Sequence, residues 1–138
     1  PLAMISAAAG TDRKWKAAMD RVAISVLRDF EGLCASMDER FGRAKAFLVI
    51  DKKTGKTIET LENTSGDASR GAGTAAANLL SGAKVGAVVS GRFGPNALDV
   101  LRALGIEAWV APPGVNAGLA LLMLEGGRLE RMESSVPR

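Results

Sequence analysis

The sequence predicts an α/β domain, a mixed β-sheet with helices packed on it. Three observations predict it. Short apolar or alternating runs of strand length recur along the chain; stretches with helical spacing separate them in the second half; and Gly, Pro or polar clusters punctuate the junctions.

The elements follow in order. Residues 22–26 (Val-Ala-Ile-Ser-Val) read as the first strand. A loop over 28–43 follows, holding Asp29, Gly32 and Gly42. Residues 46–50 (Ala-Phe-Leu-Val-Ile) form a second strand. The turn at 51–55 ends on Gly55, which is free to take positive φ. Residues 56–62 then alternate polar and apolar, so the two runs pair as a hairpin with a half-exposed second arm. After a polar loop over 63–70, small residues from Gly71 to Leu80 predict a closely packed helix that Gly82 stops. The continuous apolar run 85–89 predicts a strand buried on both faces. Pro95 suits the first turn of a helix whose apolar face is Ala97, Leu98, Val100, Leu101 and Leu104. Residues 107–111 predict another strand, and 115–124 a last helix ended by Gly126 and Gly127. The expected organisation is an N-terminal extension or remnant of expression over 1–20, one domain over 21–130, and a flexible tail over 131–138.

Composition narrows the function. The chain has 138 residues, the length of one domain, with 47% hydrophobic and 24% charged residues. No apolar run reaches the roughly 18 residues of a membrane span. The single cysteine, Cys34, excludes an internal disulfide and a multi-Cys zinc site. The absence of histidine excludes Ser-His-Asp and Cys-His catalysis and HExxH metal sites. The carboxylates are scattered, and Asp29, Glu31, Asp38 and Glu39 read as mostly solvated, so a two-metal nuclease is disfavoured. The net charge is +3, carried by more Arg (11) than Lys (7). Guanidinium makes planar, multidentate contacts to oxyanions and other diffuse anions. With six aromatic residues and no basic run, the expected partner is a small anion rather than nucleic acid.

Two Gly-rich helix starts carry that expectation: Arg70-Gly71-Ala72-Gly73-Thr74 and Gly91-Arg92-Phe93-Gly94-Pro95. Each offers free backbone N–H groups, a positive dipole end and an Arg at its mouth. A third Gly-Arg pair, Gly42-Arg43, stands beside Arg40 and Phe41. Neither start matches the GxxxxGK[ST] phosphate loop, and no GxGxxG follows a strand. Each Gly taken alone also fits plain chain geometry. Cys34 reads either as a small hydrophobe or as a soft metal ligand, and Met37 either as packing or as a Cu(I) ligand.

Arg40-Phe41-Gly42-Arg43-Ala44, Gly71-Ala72-Gly73 opening a helix, and Gly94-Pro95-Asn96-Ala97 followed by Leu104-Gly105-Ile106 resemble the dinitrogenase iron–molybdenum cofactor-binding family. That family includes nitrogenase accessory carriers and the molybdenum–copper orange protein of sulfate reducers. The resemblance spans about 21–130. It implies a ribonuclease H-like fold and a non-catalytic carrier of an anionic molybdenum-containing metal–sulfur cluster, Mo–Cu sulfide or Mo–Fe–S. Apart from the resemblance, the apolar content is consistent with a cytoplasmic monomer, the lone Cys with a reducing cytosol, and the apolar run lengths with no membrane partner; an acceptor or scaffold protein is the expected further partner. Where the family commonly carries His, this chain has Arg40 and Arg70, so imidazole ligation is impossible here. The expected cradle is then Arg40, Arg43, Arg70 and Arg92, with the backbone of Gly71, Ala72, Gly73 and Gly94. Met37, Phe41 and Phe93 would be its apolar lining and Cys34 a metal ligand. The alternatives are a regulatory or scaffold module and a ribonuclease H-like nuclease.

Overall fold

The run Val-Ala-Ile-Ser-Val has no polar face and becomes a central strand with both faces covered. In the computed structural model, which describes residues 21–27, 32–64 and 71–132, this strand is β1 (Arg21–Val26). β2 (Ala46–Asp51) and β3 (Thr57–Glu62) form the antiparallel hairpin. Helix α1 (Ala72–Gly82), β4 (Ala87–Ser90), α2 (Pro95–Ala103), β5 (Glu107–Val110), α3 (Ala117–Glu125) and β6 (Glu130–Met132) follow. The six strands form one mixed sheet in the order β3-β2-β1-β4-β5-β6. β1, β4 and β5 run parallel; β2 and β6 pair antiparallel to their neighbours β1 and β5.

Period-two alternation sends the side chains of β1 and β2 to two cores. Val22, Ile24, Val26, Leu48 and Ile50 face one layer, which α3 covers. Ala23, Phe47 and Val49 face the other, where α1 and α2 pack through Ala76, Ala77, Leu80, Leu98 and Leu101. The parallel strands β1 and β4 lie side by side at the centre, and the carboxyl end of β4 leads into the short loop that precedes α2. In sheets of this kind, ligands sit outside the carboxyl ends of the parallel strands.

The element order expected from the sequence is present, with one addition and some shifted ends. Residues 131 and 132, expected in a flexible tail, belong to β6, which pairs Met132 with Ala108 and Glu130 with Val110. Three residues with Glu130 and Arg131 exposed carry no period to read. The strand expected over 85–89 begins at Ala87, because Val85 instead donates its N–H to the Leu80 carbonyl and closes α1. The last helix begins at Ala117, with the Asn116 side chain accepting from Leu119 N–H as its cap. The extension expected over 1–20 and the tail beyond 132 lie outside the described residues.

Candidate functional site

The segment 38–43 leaves the loop after β1 and runs back across the carboxyl ends of β1 and β4. Its anchors are polar and buried. Asp38 N–H donates to the Ser25 carbonyl at 2.9 Å. The Asp38 carbonyl accepts from Ser25 Oγ at 2.6 Å, with Ser90 Oγ 3.1 Å away and the two hydroxyl oxygens 2.8 Å apart. Serines at the ends of two neighbouring parallel strands thus hold one carbonyl of the loop, and a buried polar atom of that kind is costly unless satisfied. Three residues on, Phe41 N–H donates to the Arg92 carbonyl at 3.1 Å, pairing Arg40 with Arg92 as a short parallel bridge. From the far side, Asn63 Nδ2 donates to the carbonyls of Gly42 at 3.1 Å and Ala44 at 2.8 Å.

This tethering brings three chain segments together around a cavity of about 490 Å³, lined by residues 40–43, 71–74 and 92–97. Bare backbone makes the junctions. A methyl on Gly42 would lie 2.8 Å from the Gly73 backbone, and one on Gly73 would lie 2.8 Å from Ala97 Cβ. Gly42 and Gly73 are therefore packing positions, the reading that chain geometry alone suggests. Gly71 differs: its φ of 74° is left-handed, and it starts α1 with no side-chain cap. Gly94 starts α2, also uncapped, and a methyl there would meet nothing within 4 Å.

Ala72, Gly73 and Thr74 at the start of α1, and Asn96 and Ala97 at the start of α2, have no helical acceptor for their N–H groups. All five residues line the cavity. By contrast α3, on the other side of the sheet, has its Asn116 cap. Among the described residues the cavity wall includes Arg40, Arg43 and Arg92 and no carboxylate. Among the described residues the Arg92 side chain makes no hydrogen bond or ion pair. Arg40 makes one ion pair, Nε to Asp38 Oδ1 at 3.3 Å. An apolar floor completes the site. Phe93 and the buried Phe41 have ring centroids 5.1 Å apart, and Phe41 lies 5.4 Å from Phe47 in the core. Diffuse anions, weakly hydrated and polarisable, match such a mixture of N–H donors, guanidinium and aromatic surface.

Of the residues singled out in the sequence, Arg40, Phe41, Arg43, Gly71, Ala72, Gly73, Arg92, Phe93 and Gly94 meet at this cavity. Arg70 lies outside the described residues. Met37 is corrected: it is buried in the core on the α3 side, beside Val26, because its backbone pairs with Val26 and Val115 there. Cys34 is exposed on a 3-10 turn (Gly32–Cys34) that packs against α3, and it does not line the cavity. Among the described residues no three His, Cys, Asp or Glu come together as a metal site. The acids of the first loop, read as mostly solvated, need correcting at Asp38. Its side chain is 3% exposed and accepts both the N–H and the Nε of Arg40. Thr74 and Asn96 stood inside the quoted motifs without being given a role, and the tethering residues Ser25, Ser90 and Asn63 escaped the sequence reading. Only Ser25, a polar residue inside an apolar strand, carried a signal.

Comparison with known proteins adds to this geometry. The profile of the family described as dinitrogenase iron-molybdenum cofactor matches residues 31–127. An uncharacterized protein of Methanocaldococcus jannaschii is 32% identical over 99 residues, covering 70% of this chain and 83% of its own. The apo form of the orange protein from Desulfovibrio gigas superposes with a TM-score of 0.79 at 32% identity, covering 84% of this chain and 95% of that one. A Thermotoga protein with a provisional NifB designation, solved by NMR, gives 0.72 at 30% identity, covering 87% and 98%.

Proposed function

Because the chain belongs to the dinitrogenase iron–molybdenum cofactor family, we propose that its cavity takes up a preassembled anionic molybdenum-containing metal–sulfur cluster and carries it unchanged. The observation that carries this reading is the convergence of two uncapped helix N-termini and three arginines on one cavity that has no carboxylate among its described lining residues. The donor set fits such a cargo. It offers N–H groups and no histidine or clustered acid, so the metals must arrive with their sulfide ligands in place. Arg40, Arg43 and Arg92 would hold the charge, joined by Arg70 from the residue preceding Gly71. The amides at the starts of α1 and α2 would hold sulfide or oxo edges, and Phe41 and Phe93 the diffuse faces. An apo form of a protein with this fold and 32% identity supports a site that fills and empties. Mo–Cu sulfide is the favoured cargo, since a site without imidazole suits a cluster complete in itself; Mo–Fe–S is the alternative. The role is that of a cytoplasmic, non-catalytic carrier that delivers to an acceptor protein.

Anaerobic titration with tetrathiomolybdate, with and without Cu(I), tests it. Saturable charge-transfer bands and metal retained through desalting at a fixed Mo:Cu:protein ratio are expected. Arg92→Ala should cut affinity about tenfold or more without lowering the melting temperature, because its side chain supports nothing else in the described structure. Metal-free protein after desalting, with the fold intact, would instead favour a scaffold role or an iron-containing cluster, which this titration does not supply.

A further inference from the structure

Arg40 stands on a ridge between two cavities. One is the anion cavity. The other, about 430 Å³, lies across the segment 40–45 and is lined by Asp38, Arg43, Lys45 and Glu62 among others. The Arg40 side chain is 55% exposed, whereas that of Asp38 is 3% exposed. Asp38 is also immobilised: its N–H and carbonyl are both bound to Ser25, and its Oδ1 accepts the Arg40 N–H at 2.9 Å. Of the pair, only the Arg40 head is free to move. It gives Nε to Asp38, and its other donors have no partner among the described residues.

We propose that Asp38 is a built-in competitor of the cargo anion: it holds Arg40 when the cavity is empty, weakens Arg40's grip when the cavity is full, and so sets how readily cargo is released. This rests on the reading of the cavity given above. A buried carboxylate is poorly screened by salt. It attracts the guanidinium that the cargo also needs, and it repels an anion placed beyond that guanidinium. Both effects lower affinity. Ordering of the Arg40 arm by Asp38 acts the other way, but it engages one of five donors on a half-exposed side chain. A carrier gains from this arrangement because delivery needs a finite dissociation rate, which is where affinity is mostly tuned.

Asp38→Asn keeps an oxygen acceptor for the Arg40 N–H and removes the charge. Tetrathiomolybdate titrations and stopped-flow dissociation would compare wild type, D38N, R40Q, R92A and the two double variants at one ionic strength. D38N should bind at least threefold tighter, mainly through slower dissociation. The gain should persist beside R92A and vanish beside R40Q. Equal or weaker binding by D38N, or a gain that survives in R40Q, overturns the proposal while leaving the carrier reading intact. Failure of both wild type and D38N to take up the anion overturns the Mo–Cu sulfide reading and the competitor with it, and leaves a scaffold role or an iron-containing cargo. If D38N does not fold, the wild-type protein still decides. The Arg40 Nε–H resonance, identified by its loss in R40Q, should shift on saturation as Arg40 leaves Asp38, and an unmoved resonance overturns the proposal.

Discussion

Gly42 and Gly94 both line the cavity, yet the structure assigns them different duties. A methyl on Gly42 would overlap the Gly73 backbone at 2.8 Å, and backbone cannot rotate away. Gly42→Ala should therefore cost on the order of 1–3 kcal/mol, read as a lower melting temperature. Gly94 has a φ of −72° and open space around the added atom, so Gly94→Ala should stay within about 0.5 kcal/mol of wild type. Equal losses in the two variants would contradict the packing role given to Gly42. At this scale the sequence was partly legible. Gly-Arg pairs, one of them at a helix start, marked Arg92, Arg43 and the neighbouring Arg40, and the family resemblance gathered them into one cradle. Asp38, Ser25 and Asn63 were not readable as tethers. Their meaning depends on carbonyls 13 to 21 residues away, which no local pattern marks.

Helix α1 shows how well an element's end can be read and where it departs from rule. Small residues and Gly82 announced it, yet its left-handed position after the C-cap is Lys84, with φ of 61°. A side chain there costs about 1–2 kcal/mol, which exceeds the extra chain entropy of glycine at about 0.5–1 kcal/mol. Lys84→Gly should thus stabilise the protein by roughly 0.5 kcal/mol, measurable by denaturant unfolding, and a loss of stability would show that the Lys side chain has a partner worth more. Strands β1, β2 and β4 were legible because both their faces are buried, which leaves an apolar run in the sequence. β6 was not, since an edge strand of three residues buries too little to leave a trace. The start of α3 was read two residues early. This helix is apolar almost all round, with Leu122 63% exposed, so no amphipathic face located its first turn.

Taken whole, the molecule ties its cavity to the centre of its sheet. The walls come from three stretches far apart in sequence; Ser25 and Ser90 hold the first to β1 and β4, and close packing of Gly42, Gly73 and Ala97 joins the others to it, so cavity and core should unfold together. An anion that binds only the folded state at a hundred times its dissociation constant adds about 2.7 kcal/mol. For a domain of this size that should raise the melting temperature by on the order of 10 °C, in a single transition. Two transitions, or uptake with no shift, would place the cargo on a part that unfolds separately. Fold class was the most legible level of all, because strand–helix alternation is a property of the whole chain rather than of any one residue.

The contact of Gly42 with Gly73, and of Gly73 with Ala97, has a mechanical meaning. Side-chain cushions compress and change rotamer; the Gly73 backbone against Gly42, and the rotamer-free methyl of Ala97 against Gly73, do not. The spacing between the three walls is consequently a fixed calibre, indifferent to temperature-driven rotamer exchange in the core. On the carrier proposal, these close contacts make the walls select cargo by diameter. Any change of cargo size, whether by divergence or by engineering, must be made through the side chains that stand inside that bore: Arg40, Arg43, Thr74, Arg92, Phe93 and Asn96.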